Sequence, residues 1–322
     1  MSSGPVRTRT RQNRFALALT AIISLFSSHH LSAGDTSTGQ SCDGEPLDIL
    51  LTNDDGYDKP GIRALHRVFS AAKHRLVLAA PAGNASGSST SVTFAPVKVN
   101  EAEPGIYAIE ASPASTVVLG VNNYFPDGPP DLVISGINKG ANLGPATPVS
   151  GTVGATIAAL LLVQPAIPAI AVSTDPFILA SGSATEKQQA DLEHLDRVAH
   201  FILQLVSRLQ AQSCGSVALL PPGLALNINY PPVPRAAIKG FKLTRQSRLP
   251  TFSLSYAPSA KDSALFAPRF TELPPVLSGD EGDTSAYHRG YITIVPIDGN
   301  YTLDDLGARK LGALLEGLDD KP

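Results

Sequence analysis

The sequence predicts an α/β fold: a Rossmann-like three-layer core with a mainly parallel sheet, a late β-hairpin insertion and a C-terminal helix. Three observations predict it. Short apolar runs alternate with segments of helical period through the first two-thirds of the 322-residue chain. From about 231 to 296 the helical signal vanishes, and extended segments alternate with Pro- and Gly-rich turns. Helical pattern returns after Thr302 and runs to Leu318.

The chain opens on a segment that stands apart from this fold. "RTRTRQNRF" carries Arg7, Arg9, Arg11 and Arg14 without an acid, "FALALTAIISLF" (Phe15–Phe26) is apolar, and "LSA" (Leu31–Ala33) places small residues before Gly34. That is the layout of a secretory signal peptide over 1–33. Its apolar run is shorter than the roughly 20 residues of a spanning helix, and an uncleaved anchor is the alternative. The expectation is an exported chain, periplasmic or secreted, with no membrane association after cleavage. A flexible polar leader, 34–46, follows.

The core is expected over 47–230. Leu47–Thr52 reads as a buried strand that runs into "NDDG". After Pro60, residues Ile62, Leu65, Val68, Phe69 and Ala72 recur at helical spacing, and His74–Pro81 is a second apolar run. Strand, helix and strand make a right-handed βαβ unit. The loop Gly83–Ser91 has almost no bulky side chain; "VTFAPVKV" and "GIYAIE" then read as extended, and Ala114–Val121 as a short helix. Asp131–Gly136 is another buried strand, Val149–Val163 a helix with a glycine-rich start, and Ala166–Thr174 a further strand. Ser183 and Glu186 have capping-box spacing ahead of a helix with Leu192, Leu195, Val198, Ile202, Leu205 and Leu209 on one face. Gly223–Tyr230 closes the core, 231–296 reads as a β-rich arm, and 297–322 as C-terminal helix and tail.

Composition excludes several function classes. Removing the four leader arginines leaves 21 basic against 28 acidic residues, moving the formal charge from −3 to −7, which argues against a general nucleic-acid binder. There is no G-x-S-x-G elbow, no phosphate-binding G-x-x-x-x-G-K-[ST] loop and no strand-linked dinucleotide fingerprint. The seven histidines form no H-E-x-x-H pair. The only cysteines, Cys42 and Cys214, can bridge in an oxidising compartment or remain two buried thiols.

Three polar loops follow apolar strands: Asn53–Gly56, Gly83–Ser91 and Ser135–Gly144. In a parallel sheet such loops converge on one rim. They offer the oxygens of Asp54, Asp55, Ser86 and Asn138. Hard divalent cations take oxygen ligands, and adjacent buried carboxylates are costly to ionise without a cation between them. Asp54–Gly56 also fits an ordinary polar turn. Ser150, Gly151 and Thr152 open a helix, where free amides suit phosphate; N-capping by Ser150 is the plainer alternative.

These pieces resemble, in order, the motifs of the SurE, or stationary-phase survival protein, family. "ILLTNDDGYDKPGI" resembles its opening signature, "AAPAGNASGSSTS" its second loop, "DLVISGINKGANLG" its third and "VSGTVGA" its helix start. "LNINYP", "IKGFKLTRQSR" and "GYITIVPI" continue the match, which runs from about Asp48 to about Ile297. The resemblance implies a metal-dependent phosphomonoesterase acting on nucleoside 5'-monophosphates, with Mg²⁺ or Mn²⁺ on Asp54, Asp55, Ser86 and Asn138 and with Asp54 or Asp55 handling the proton. It implies phosphate binding by Asn142 and Ser150–Thr152, and a homodimer or homotetramer joined through the arm. An acid phosphatase or exopolyphosphatase of the same fold and an exported binding protein are the alternatives. Ala82, Ala85 and Ser115 depart from the family pattern around the site.

Overall fold

The structure is a computed structural model and describes residues 45–213, 218–260, 262, 264–274, 281–302 and 314–316. All of these belong to one compact unit, Ser41–Pro322. The predicted signal peptide, nearly all of the leader, Cys42, Cys214 and most of the helix predicted after Thr302 lie outside the described residues. Among the described residues no helix is long and apolar enough to cross a membrane.

Strand β1 (Asp48–Thr52) lies in the middle of the main sheet, and Ile49, Leu50 and Leu51 are fully buried. Helix α1 (Pro60–Ala71) starts on a proline, whose missing N–H has no helical partner at that position anyway. It leads to β2 (Arg75–Pro81), parallel to β1. Strands β3 (Val99–Glu103) and β4 (Ile106–Ile109) extend that side, and α2 (Pro113–Asn123) is N-capped by Ser112. Strand β5 (Leu132–Lys139) then pairs parallel with the other edge of β1.

Beyond it come α3 (Gly151–Leu161), β6 (Ala169–Thr174), α4 (Ala184–Gln212) and β7 (Ala225–Asn229). The capping box expected at Ser183 and Glu186 is present at the start of α4. The chain then forms β8 (Phe241–Leu243), β9 (Phe252–Pro258), β10 (Phe266–Glu272), α5 (Asp283–His288) and β11 (Ile292–Ile297).

Among the described residues the main sheet has nine strands in the order β3-β4-β2-β1-β5-β6-β7-β11-β8, parallel from β4 to β7. Strand β11 runs antiparallel to β7, and β9 with β10 forms a separate antiparallel hairpin. Successive strand residues point to opposite faces. Accordingly Ile49 and Leu51 pack with α1 and α4, while Leu50 and Val133 pack with α2 and α3. Because β1 leads to β2 on one side and the later strands continue from β5 on the other, a crevice opens beyond the carboxyl ends of β1 and β5.

Two local expectations differ from the structure. "VTFAPVKV" is not a strand: pairing starts only at Val99, and Phe94 is 94% exposed. Pro96, which has no N–H to donate, interrupts the run. The region 231–296 contains a helix, α5, too short for a helical period to register. It also supplies β8 and β11 to the main sheet, so only β9 and β10 stand away from it.

Candidate active site

The crevice is floored by the turn that ends β1. Asn53 closes it, donating from Nδ2 to the Gly56 carbonyl at 2.8 Å and accepting the Gly56 N–H at 3.1 Å. Gly56 has φ +128°, a conformation that side-chain-bearing residues rarely adopt. The turn presents Asp54, buried, and Asp55, half-buried.

Asp54 accepts a hydrogen bond from Thr152 Oγ1 at 2.5 Å on Oδ1. Burial pushes its carboxyl above the usual carboxylate value; the Thr152 hydrogen bonds oppose that rise and the charge of Asp55 adds to it. Burial likewise raises Asp55, opposed by the Lys139 N–H, which donates to Asp55 Oδ2 at 3.0 Å, and by the charges of Lys139 and Lys59. Neither carboxylate forms an ion pair with a basic side chain among the described residues.

The other two loops meet this turn. The Ala85 N–H donates to the Asp54 carbonyl at 2.7 Å, which brings the exposed Ser86 alongside, and Asn84 Oδ1 accepts the Ser86 N–H at 2.8 Å. Ser89 ties the same loop to the approach to α3, donating from its N–H to Val149 O and from Oγ to Pro148 O at 2.7 Å. Ser115 Oγ accepts the Thr93 N–H at 2.8 Å, just past the loop's far end. Asn138, at the end of β5, donates from Nδ2 to Gly140 O at 2.7 Å, leaving its carbonyl oxygen as an available ligand atom.

At the start of α3, Ser150 Oγ accepts the Val153 N–H at 3.2 Å and acts as N-cap. Gly151 is required by contact: a Cβ there would sit 2.5 Å from Ser88 Oγ and 2.9 Å from Asp54 Oδ2. That Ser88 hydroxyl oxygen is buried and has no hydrogen-bond partner among the described residues. Two ionisable carboxylates, neutral amide and hydroxyl oxygens, an orphaned hydroxyl and a helix start crowded around a glycine fit a hard divalent cation with a phosphoryl group. Among the described residues no group of three or more His, Cys, Asp or Glu gathers as an alternative centre.

The sequence reading missed the side chains that hold the third loop. Asn229 pairs with the backbone of Asn142 as another strand would, accepting its N–H on Oδ1 at 2.7 Å and donating from Nδ2 to its carbonyl at 3.1 Å. Asn227 Nδ2 donates to the same carbonyl at 2.9 Å, and Asn142 Nδ2 donates to Ser173 Oγ at 2.9 Å. Asp175 accepts the Ala141 N–H at 2.9 Å and the Tyr287 hydroxyl at 2.8 Å. Burial, with the adjacent Asp175 charge, holds that tyrosine well above its ordinary pKa, so it stays a donor. The buried Asp283 accepts the N–H groups of Gly144 at 3.1 Å and Ser247 at 2.8 Å. One signal was present in the sequence: "LNIN" puts two asparagines on one face of a strand, and buried amides require partners.

Comparison with known proteins agrees with this geometry. The family described as "Survival protein SurE" matches residues 49–251. The chain is 34% identical over 265 residues to "5'-nucleotidase SurE" of Dichelobacter nodosus (strain VCS1703A), covering 80% of this chain and 94% of that protein. It is 32% identical over 263 residues to the protein of the same name from Pseudoalteromonas atlantica (strain T6c / ATCC BAA-1087), covering 79% and 93%. A crystal structure of the SurE protein from Aquifex aeolicus superimposes with a TM-score of 0.65 at 28% identity, covering 84% of this chain and 99% of that one. With the family's motifs brought to one crevice on the family's fold, the chain belongs to the SurE family.

Proposed function

We propose that the chain hydrolyses phosphate monoesters, nucleoside 5'-monophosphates foremost, with a divalent cation (Mg²⁺ or Mn²⁺) held by Asp54, Asp55, Ser86 and Asn138. The observation that carries this reading is the pair of adjacent carboxylates at the sheet's switch point, both raised by burial and neither ion-paired among the described residues. The relatives named 5'-nucleotidase supply the substrate class. A cation bound there supplies Lewis-acid polarisation of a phosphoryl oxygen.

The chain's own residues do the rest. Thr152 Oγ1 fixes Asp54 through Oδ1, and the Lys139 amide fixes Asp55 through Oδ2. A carboxylate oxygen beside the cation site orients an attacking water and takes its proton. The start of α3 and the second amide hydrogen of Asn142 are the groups offered to the phosphoryl oxygens. Water is the nucleophile in this reading; attack by an aspartate, with a phosphoenzyme, is the alternative.

Two further parts of the proposal rest on other segments. Export rests on the composition of 1–33. A homodimer or homotetramer rests on the hairpin β9–β10, where Tyr256, Phe266 and Phe270 are all more than half exposed.

Phosphate release from nucleoside monophosphates, measured with Mn²⁺, with chelator and for Asp54→Asn, tests the reading. The expected result is loss of activity under chelation and in the variant. Activity that survives both overturns the cation mechanism. A protein that binds Mn²⁺ yet cleaves no ester is a binding protein instead.

A further inference from the structure

A cavity of about 580 Å³ lies between α4, the segment joining β7 to β8 and the start of β11, and none of the candidate cation or phosphate residues lines it. Part of its wall is core. Tyr230, just past β7, and Ile292, on β11, are buried in the cluster that α1 and α4 cover, and Phe201 of α4 packs against that cluster. The Phe201 and Tyr230 rings meet edge to face with centroids 5.9 Å apart, so two aromatic surfaces bound a preformed space.

Two guanidinium groups stand in the same wall. Arg197, on α4, is held from two sides: Nη2 donates to His194 Nδ1 at 3.3 Å, and the guanidinium lies 5.4 Å from the centroid of the Phe177 ring. Arg235 is exposed and comes from the segment after β7. Both charges act on one group, the Tyr230 hydroxyl: burial raises its pKa, and Arg197 and Arg235 oppose the rise. Two positive charges are thus brought to one aromatic wall. Neither arginine has an acid partner among the described residues. The acid in the lining, Asp196, is engaged by Arg67 at 2.8 Å.

A guanidinium keeps its charge at any ordinary pH and takes a carboxylate through two parallel hydrogen bonds. The volume is that of a small-molecule site. Two positive charges beside two aromatic rings match an acid carried on a flat ring. A bare inorganic anion would leave the rings uncovered, and a neutral ring would leave the guanidinium groups without partners.

We propose that this cavity is a second ligand site, separate from the crevice, for a small aromatic anion, with Arg197 and Arg235 taking the acid groups and Phe201 and Tyr230 the ring.

The probe is isophthalate, a benzene ring with two carboxylates, titrated calorimetrically into the metal-free protein at low salt. The natural chain is expected to bind one equivalent. Arg235→Ser removes a charge from the cavity, and Gln204→Glu adds an acid to its wall; both positions are exposed, so neither variant disturbs the core. Each is expected to weaken binding about tenfold or more, whereas Asp54→Asn in the crevice is expected to leave it unchanged. Glutarate, with the same acid groups and no ring, is expected to bind the natural chain about tenfold more weakly. No binding at millimolar isophthalate overturns the site, as does equal affinity in the natural chain and both cavity variants. Binding that is lost in Asp54→Asn and kept in the other two places the anion in the crevice and overturns the site as well. Equal affinity for glutarate and isophthalate overturns the aromatic assignment.

Discussion

Strands β5 and β10 are similar in length, eight and seven residues, and opposite in environment. Seven of the eight β5 residues are buried, and all seven of β10 are exposed. Strand β5 lies between β1 and β6 with helices on both faces, and its tight packing holds Asn138 and the Lys139 amide at the crevice. Strand β10 pairs with β9 alone, and the register puts Leu254 opposite Phe270, Tyr256 opposite Pro268 and Pro258 opposite Phe266. Paired residues share a face, so the hairpin carries one continuous apolar face that the described residues leave open. The core therefore assembles the candidate centre from its own elements, whereas the hairpin has an apolar surface that no other described residue covers.

Four substitutions break or sharpen that contrast, from the largest effect to the smallest. Asp54→Asn in the core rim is expected to lower phosphate release by about three orders of magnitude, several kcal/mol of lost phosphoryl stabilisation. Steady-state kinetics with Mn²⁺ measures it, and a loss below about tenfold removes Asp54 from the chemistry.

Asn229→Leu severs both bonds to the Asn142 backbone and leaves its buried N–H unpaired, while Asn227 and Thr147 still donate to its carbonyl, at a cost of about 1–3 kcal/mol in denaturant unfolding. It is also expected to raise KM for nucleotide more than it lowers kcat, because it loosens phosphate positioning.

His194 gives a pH-dependent test of the core. Its Nε2 lies 2.7 Å from Thr174 Oγ1, which donates to the Tyr230 carbonyl, so the ring nitrogen must be the donor there. Its Nδ1 then accepts from Arg197 at 3.3 Å. Burial, with the nearby Arg197 charge, lowers its pKa from 6.5 to about 4. The unfolded chain binds the proton more tightly, so stability from the neutral imidazole is full above 6.5 and is lost as pH falls toward 4. The span is about 3 kcal/mol. Unfolding of His194→Gln and the natural chain between pH 7 and 4 is expected to show a shallower dependence in the variant; equal slopes refute the assignment.

The hairpin double substitution Phe266→Ser with Phe270→Ser is expected to change the chain's own stability by about 0.5 kcal/mol or less, since both rings are exposed. Light scattering is expected to show a smaller assembly, while initial rates per chain hold. An unchanged mass removes the hairpin from the oligomer contact.

Much of the core was legible in the sequence because its signals are local. An apolar run ending at "NDDG" specifies a buried strand and a turn, and the capping box at Ser183 marks the start of α4. The oxygen-rich loops were legible because each follows such a run. The clamp behind them was not. Asn229, Asp175, Tyr287 and Asp283 lie 87, 34, 146 and 139 residues from the loop atoms or side chains they reach, directly or through one partner. No periodicity links residues so far apart. Strand β11 was readable as a strand but not as a member of the main sheet, since its register against β7 depends on a long-range pairing.

By itself the sequence determined which segments become buried strands and helices, because burial requires apolar side chains at fixed periods, and it determined which loops carry the candidate ligand oxygens. Only the tertiary structure decided where those oxygens point. Thr152 rather than a basic side chain bonds Asp54, Asn142 turns one amide hydrogen inward to Ser173, and a cavity opens beside Asp55. These are outcomes of packing between elements distant in sequence, where a hydrogen bond forms only after the sheet has brought its partners together.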